Sequence, residues 1–422
     1  MAAESVPLVN VVTANVAIVL VIAAAMVHVG RRLSQPPVVA EIAAGLMLGP
    51  SLLGLLPGDI PERIFPHSAR PMLATVAEIG VLLFMFLIGW ELDLARLNGR
   101  KKILLPIAGL SMVIPFLMGS GAAILLFDGF RQDDTSVEVF VFYLATAFSI
   151  TAFPVLARVI RDTRLSKTAV GATALACAAI GDVVAWCVLV LLLAIADASS
   201  MGRFFLVVAA TVAFALVVAL VVRPLLRFAV RRAADRDQTG ALMVLVAAGV
   251  FLCAYATSWI GVHAIFGAFA FGLAMPRDGG PTLFQRVGVP LENVAMLLLP
   301  VFFIVTGLSV DVGSLGWSGV FMVLLVITVA VVGKFTGAAI PARISGMTWR
   351  NSCALGVLMN TRGLTELVIL NVGIQRGIID GEMFTMMVIM ALVTTAMAGP
   401  LLRVLRVVPR PDENVLVHDQ RA

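Results

Sequence analysis

Residues 351–375 read NSCALGVLMNTRGLTELVILNVGIQ. The length and apolar content suit a helix that crosses a bilayer, which takes about 20 residues. Its centre, however, carries Asn360, Thr361, Arg362 and Gly363 in a row, with Glu366 one turn further on. An arginine at the middle of a membrane helix costs at least about 2.5–3.5 kcal/mol, even on the lenient insertion scale. Lipid also offers no partner to a backbone that opens there. Such a stretch survives only against protein or a wet cavity, so it reads as a helix that enters, breaks and resumes.

A second stretch behaves alike. Residues 148–160 read FSITAFPVLARVI, where Pro154 removes a backbone donor and Thr151 offers a hydroxyl to the freed carbonyls. A plain proline kink is the simpler reading of Pro154 alone. Two interruptions at equivalent places favour crossed half-helices, whose opposed ends leave partial charges at the midplane. Arg362 then neutralises the negative ends.

The rest of the chain agrees with a membrane setting. Of its 422 residues 60% are hydrophobic and 13% charged, with a mean hydropathy of +1.04. A soluble fold of that size needs more charged surface. The net charge of +5 does not point to nucleic acid, because the basic residues cluster in short loops. Those clusters alternate along the chain: Arg31/Arg32, Arg96/Arg100/Lys101/Lys102, Arg161/Arg164/Lys167, Arg227/Arg231/Arg232/Arg236, Arg277/Arg286, Arg343/Arg350, and Arg403/Arg406/Arg410. Intervening loops are short, neutral or acidic, as with Asp133 and Asp134. Positive loops mark the cytoplasmic side. Thirteen spans, with the N-terminus outside and the C-terminus inside, satisfy the series. The N-terminus lacks the basic region of a cleavable signal peptide.

Motifs recur at a nearly fixed offset. Phe84, Gly89, Asp93 and Leu97 match Phe302, Gly307, Asp311 and Leu315 in spacing, and Gly45 with Pro50 corresponds to Gly272 with Pro276. Thr151 and Pro154 correspond to Thr361 and Gly363. The pairing joins spans 1–6 (residues 7–196) to spans 8–13 (239–404), with a linker helix at 204–222. Matched spans are offset by seven, an odd number, so the halves insert with opposite orientation, as in many secondary transporters. The membrane domain is expected over 1–404, followed by a short cytoplasmic tail, 405–422.

Ionisable residues inside spans are the remaining signal. Asp182 lies near the middle of the sixth span beside Ala178, Ala179 and Gly181, with no charged neighbour on its own helix. It suits a water-accessible cavity that holds a proton or a cation. Lys334 lies inside the eleventh span. Arg362 and Glu366, at i and i+4, read equally as a packing ion pair or as part of a site. Glu41 and Glu78 lie nearer span ends, where hydration is available. Cys177, Cys187, Cys253 and Cys353 and four dispersed histidines read as core and surface residues. No metal centre or cofactor is expected, nor an enzyme, for no nucleophile–base pair appears.

Six ordered blocks, at 38–50, 82–94, 148–160, 181–186, 298–311 and 358–373, make the chain resemble the monovalent cation:proton antiporter-2 family. This family includes Kef-type potassium efflux proteins and plant cation/proton exchangers. The resemblance covers essentially the whole membrane region. It implies the sodium/proton antiporter fold and an elevator movement of a core domain against a dimerisation domain in a homodimer. It also implies ion binding at Asp182 and Thr151, and charge compensation by Lys334 and Arg362. The family usually places Asp, Asn or Gln before the binding aspartate, whereas this chain has Gly181. A second carboxylate is therefore missing, and with it the basis for a two-proton electrogenic scheme. The expectation is electroneutral exchange of Na⁺ or K⁺ for a proton at Asp182 in the cell membrane. A cation channel or an organic-anion transporter on a similar fold is the alternative reading; the chain has no TVGYG-like filter.

Overall fold

The protein is described by a computed structural model over residues 7–33, 35–91, 101–130, 135–166, 168–196, 201–236, 239–276, 283–308 and 317–407. Asp93, Leu97, Asp311 and Leu315 of the repeat, loop residues Arg96, Arg100, Asp133, Asp134, Lys167 and Arg277, and the tail beyond 407 lie outside these residues. The chain is all-helical. Among the described residues ten helices are long and apolar enough to cross a membrane, and three shorter apolar helices accompany them at Ala169–Ala185, Ala264–Ala274 and Thr365–Ile374.

The first half contains α1 (Leu8–Arg32), α2 (Pro37–Leu48), α3 (Ile60–Ile64), α4 (Arg70–Glu91), α5 (Lys101–Phe130), α6 (Val137–Ser149), α7 (Phe153–Asp162) and α8 (Ala169–Ala196). After these come α9 (Met201–Val217), α10 (Arg223–Arg236), α11 (Thr239–Ile260), α12 (Ala264–Ala274), α13 (Val289–Leu308), α14 (Trp317–Ile344), α15 (Trp349–Met359), α16 (Leu364–Gln375) and α17 (Gly381–Val404). Two compact units divide the chain. The first takes Met1–His28, Ala40–Leu94 and Trp186–Gly313; the second takes Val29–Val39, Ala95–Ala185 and Ser314–Ala422.

In the first unit, glycines let backbones touch. A Cβ on Gly45 would lie 2.2 Å from the Ile304 carbonyl oxygen, and one on Gly307 would lie 2.5 Å from that of Ile42. The same holds for Gly89 against Phe269, at 2.3 Å, and for Gly272 against Phe86, at 2.1 Å. Any side chain there pushes α2 from α13 or α4 from α12, so helix packing without a hydrophobic driving force selects glycine. Val19, Ala44, Phe65, Leu73, Val301 and Ile304 fill the core beside the α2–α13 contact.

The linker differs from its sequence reading. The basic clustering assigns Arg227 to Arg236 to a loop after a helix at 204–222; the stretch is helical, forming α10. A π-helical turn, Val218–Val222, joins it to α9. Leucine, alanine and arginine all favour helix, and the widened turn lies just before Pro224, whose ring crowds the turn ahead of it. Phe205, Leu206, Leu220 and Phe228 are exposed along this run, as lipid-facing side chains are.

The second unit brings α14 against α5. A Cβ on Gly337 would meet the Leu110 carbonyl oxygen at 2.7 Å, so the absent side chain sets the approach. This contact carries Lys334 toward α5 and the ends of α6 and α7.

Candidate functional site: a buried charge cluster at two helix breaks

Both expected interruptions are present. Helix α6 ends at Ser149, Ile150 and Ala152 are extended, and α7 begins at Phe153. Helix α15 ends at Met359 with Asn360 as its C-cap, and α16 begins after Gly363. The two breaks are tied to one another. The Ala152 N–H donates to the Thr361 carbonyl at 3.1 Å, and the Thr151 hydroxyl donates to the Met359 carbonyl at 2.8 Å. Thr151 thus serves the other broken helix, not its own as its sequence position suggested. Pro154 sits in the first turn of α7, where its missing N–H deprives no carbonyl; it starts a helix and does not kink one. Gly363 has φ 157° and presses against Val155, whose Cγ2 would stand 2.5 Å from an added Cβ. Thr395 of α17 holds the Arg362 backbone from both sides, accepting from its N–H at 2.9 Å and donating to its carbonyl at 2.8 Å.

A helix end leaves carbonyls without partners and a partial negative charge. At the end of α6 two cations take them. Arg362 Nη1 donates to Ala147 O at 2.9 Å and Nη2 to Phe148 O at 2.6 Å, while Lys334 Nζ donates to Ser149 O. Lys334 also donates to Thr151 Oγ1 at 2.8 Å and to Ser111 O at 3.0 Å. The last acceptor has a local origin: Ser111 lies four residues before Pro115, inside α5, and a proline leaves that carbonyl without its helical donor. All three ammonium protons are thereby used. Arg362 and Glu366 form the ion pair read from their spacing, with 3.2 Å between Nη1 and Oε1 and both side chains fully buried.

Asp182 of α8 completes the cluster. Its Oδ2 accepts from the Phe153 N–H at 3.2 Å and from the Thr365 hydroxyl at 3.1 Å. Phe153 opens α7, so the positive end of that half-helix faces the carboxylate. Asp182 is fully buried, and its Oδ1 has no hydrogen-bond partner among the described residues, like Asn360 Oδ1 and Glu366 Oε2. Carboxylate and amide oxygens are hard donors, suited to a hard cation and unsuited to soft metals. Gly181 leaves room beside Asp182, since an added Cβ meets only Met112 Sδ at 3.7 Å.

Asp182, Thr151, Lys334, Arg362, Glu366, Asn360, Thr361 and Gly363 all lie in the second unit. Glu41 and Glu78 fall in the first; Glu41 is 2% exposed and Glu78 is exposed. Two buried polar residues escaped the sequence reading, one in the cluster and one outside it. Thr365 is one: a hydroxyl on a membrane helix usually bonds its own preceding turn, so nothing set it apart. The other is Arg158, 4% exposed and 3.0 Å from Asp162 at the far end of α7; its i,i+4 spacing was the available signal.

Residues 16–407 match the family described as "Sodium/hydrogen exchanger, transmembrane". The chain is 36% identical over 404 residues to the Na(+)/H(+) antiporter NhaS4 of Synechocystis, covering 95% of this chain and 98% of that one. It is 37% identical to Cation/H(+) antiporter 20 of Arabidopsis thaliana and 35% identical to K(+)/H(+) antiporter 1 of Saccharomyces cerevisiae, over 88% and 87% of this chain. The chain spans under half the length of those two, 45% and 43%. Its fold is similar to that of the sodium proton antiporter MjNhaP1 from Methanocaldococcus jannaschii, with a TM-score of 0.67 over 94% of this chain and 96% of that one, at 14% identity.

Proposed function

Because the chain belongs to the sodium/hydrogen exchanger family, we propose that it exchanges a monovalent cation, Na⁺ or K⁺, for a proton across the membrane by alternating access. One observation carries this reading: Asp182 is held at Oδ2 by two donors while Oδ1, buried beside the crossed helix ends, has none among the described residues. That oxygen takes either a proton or a cation, and the two compete. Asn360 Oδ1 is the second oxygen offered to the cation.

The charge balance sets the stoichiometry. Asp182 and Glu366 carry two negative charges; Lys334 and Arg362 carry two positive ones. A proton on Asp182 and a cation on Asp182 give the cluster the same net charge. Exchange is then one for one and electroneutral. The bare carboxylate, one charge lower, is the form that does not cross. Lys334 and Arg362 pin the end of α6 in both loaded forms.

The reading of thirteen spans is supported by the three shorter apolar helices that accompany the ten long ones among the described residues. The inverted repeat is supported by the glycine contacts: Gly45 meets α13 and Gly307 meets α2, while their repeat counterparts, Gly272 and Gly89, join α12 to α4. Matched positions exchange partners as a pseudo-two-fold requires. In this reading the second unit, which holds the whole cluster, carries the ion in an elevator movement, and a homodimer supplies the fixed part. The basic clusters support a cell-membrane protein with its C-terminus in the cytoplasm and its N-terminus outside.

The test is exchange in proteoliposomes, with Na⁺ and K⁺ supplied separately and the membrane potential clamped at several values. Cation-driven proton movement that is indifferent to the potential supports one-for-one exchange. A rate that follows the potential contradicts it.

A further inference from the structure

The second unit holds another built feature, independent of the exchange reading. A cavity of about 430 Å³ is lined by Arg31 in the last turn of α1, by Gln35 of the α1–α2 connection, by Asp162 and Arg164 at the end of α7, and by Gly399 and Arg403 of α17. Helices α1, α7 and α17 all bring their C-terminal ends here. Arg31, Arg164 and Arg403 are exposed, and among the described residues none of their guanidinium groups forms an ion pair or donates a hydrogen bond. The one acid in the wall, Asp162, is paired with Arg158 at 3.0 Å, and it also lies within electrostatic reach of Arg161 and Arg31. The Gln35 side-chain oxygen is buried without a partner among the described residues.

Arginines near helix C-termini are favoured by the macrodipole, and inner loops gather positive charge. Both explain arginines in this region; neither explains three converging on one concavity. Arg164 adds a second argument. It adopts φ +59° in the turn that closes α7, where Leu165 N–H reaches back to Ile160 O at 2.8 Å. That left-handed position ordinarily takes glycine, and an arginine there carries backbone strain. Keeping a strained arginine on the cavity wall is what a side chain with a task looks like.

We propose that this cavity binds a phosphate group, carried either by an anionic lipid headgroup or by a free phosphorylated solute. Guanidinium groups recognise phosphate oxygens by paired charge-assisted hydrogen bonds, and basic pockets between membrane helices are suited to such headgroups. The Gln35 oxygen accepts from a hydroxyl on the ligand. The ligand would pin the α1–α2 connection, the end of α7 and the end of α17 to one another.

The experiment measures the melting temperature of the purified full chain in neutral detergent. One arm adds phosphatidylglycerol against phosphatidylcholine; the other adds inorganic phosphate against chloride at equal ionic strength. The variants are Arg403→Gln, Arg164→Gly, and Arg232→Gln on α10 as a control outside the cavity. Wild type should be stabilised in at least one arm, and Arg403→Gln should weaken the apparent affinity about tenfold. Arg164→Gly keeps the test independent of misfolding, since without ligand it should melt no lower than wild type and yet lose the same response. A response confined to phosphatidylglycerol assigns the site to a headgroup; a response to inorganic phosphate assigns it to a soluble anion. Absence of stabilisation in both arms, or equal loss in Arg232→Gln, overturns the proposal.

Discussion

The hydroxyl of Thr365 donates to Oδ2 of Asp182 across 3.1 Å, so the second broken helix reaches the one carboxylate of α8 through a single side chain. Thr365→Val keeps the shape and removes the bond. Hydrogen bonds to charged groups contribute about 1.5–3 kcal/mol. The cation concentration for half-maximal exchange should therefore rise about tenfold or more, while Thr365→Ser stays near wild type. Transport assays across a cation series check this; an unchanged midpoint in the valine variant would remove Thr365 from the site.

Arg362 and Glu366 form a buried pair, but they are not equal partners. Arg362 also holds Ala147 O and Phe148 O. Removing one member of a buried pair costs about 3–5 kcal/mol, and Arg362→Met additionally strands two carbonyls at the end of α6. It should lower the melting temperature further than Glu366→Gln does. Equal losses would mean that the carbonyl contacts add nothing.

Gly337 sets the distance between α14 and α5, with a Cβ due to fall 2.7 Å from a backbone oxygen. Gly337→Val should destabilise by about 1–3 kcal/mol through overpacking. It should also depress exchange, because Lys334 is carried away from Ser111 O. A variant as stable and active as wild type would show that the helices tolerate separation.

Gly181 is the opposite case. An added Cβ makes only an ordinary contact there, and a mid-helix glycine costs roughly 0.5–1 kcal/mol against alanine. Gly181→Ala should be at least as stable as wild type in thermal denaturation. Gly181→Asp supplies a second carboxylate and should make exchange respond to the membrane potential. A charge-silent Gly181→Asp would separate stoichiometry from the number of acids.

The sequence disclosed much of this because membranes punish exceptions. An arginine beside Asn-Thr-Gly in the middle of an apolar stretch has few explanations, and so the break at 360–363 and its counterpart at 150–152 were legible. Asp182 stood out by the same rule. The partners were not legible. That Thr151 serves Met359, or that Lys334 takes the carbonyl vacated by Pro115, depends on which helices meet. Spacing along one chain does not encode that. Thr365 carried no periodic or charge signal at all. The helical course of 223–236 was missed for another reason: basic residues were read as loop, although leucine, alanine and arginine keep a helix going beyond the membrane.

The most direct test is proton movement in proteoliposomes containing Asp182→Asn, compared with wild type and with Na⁺ and K⁺ added separately. Asparagine keeps acceptors for Phe153 and Thr365 but neither ionises nor takes up an exchangeable proton. The account predicts that wild type moves protons against at least one cation and that the folded variant moves none. Exchange persisting in Asp182→Asn would contradict the assignment of the site.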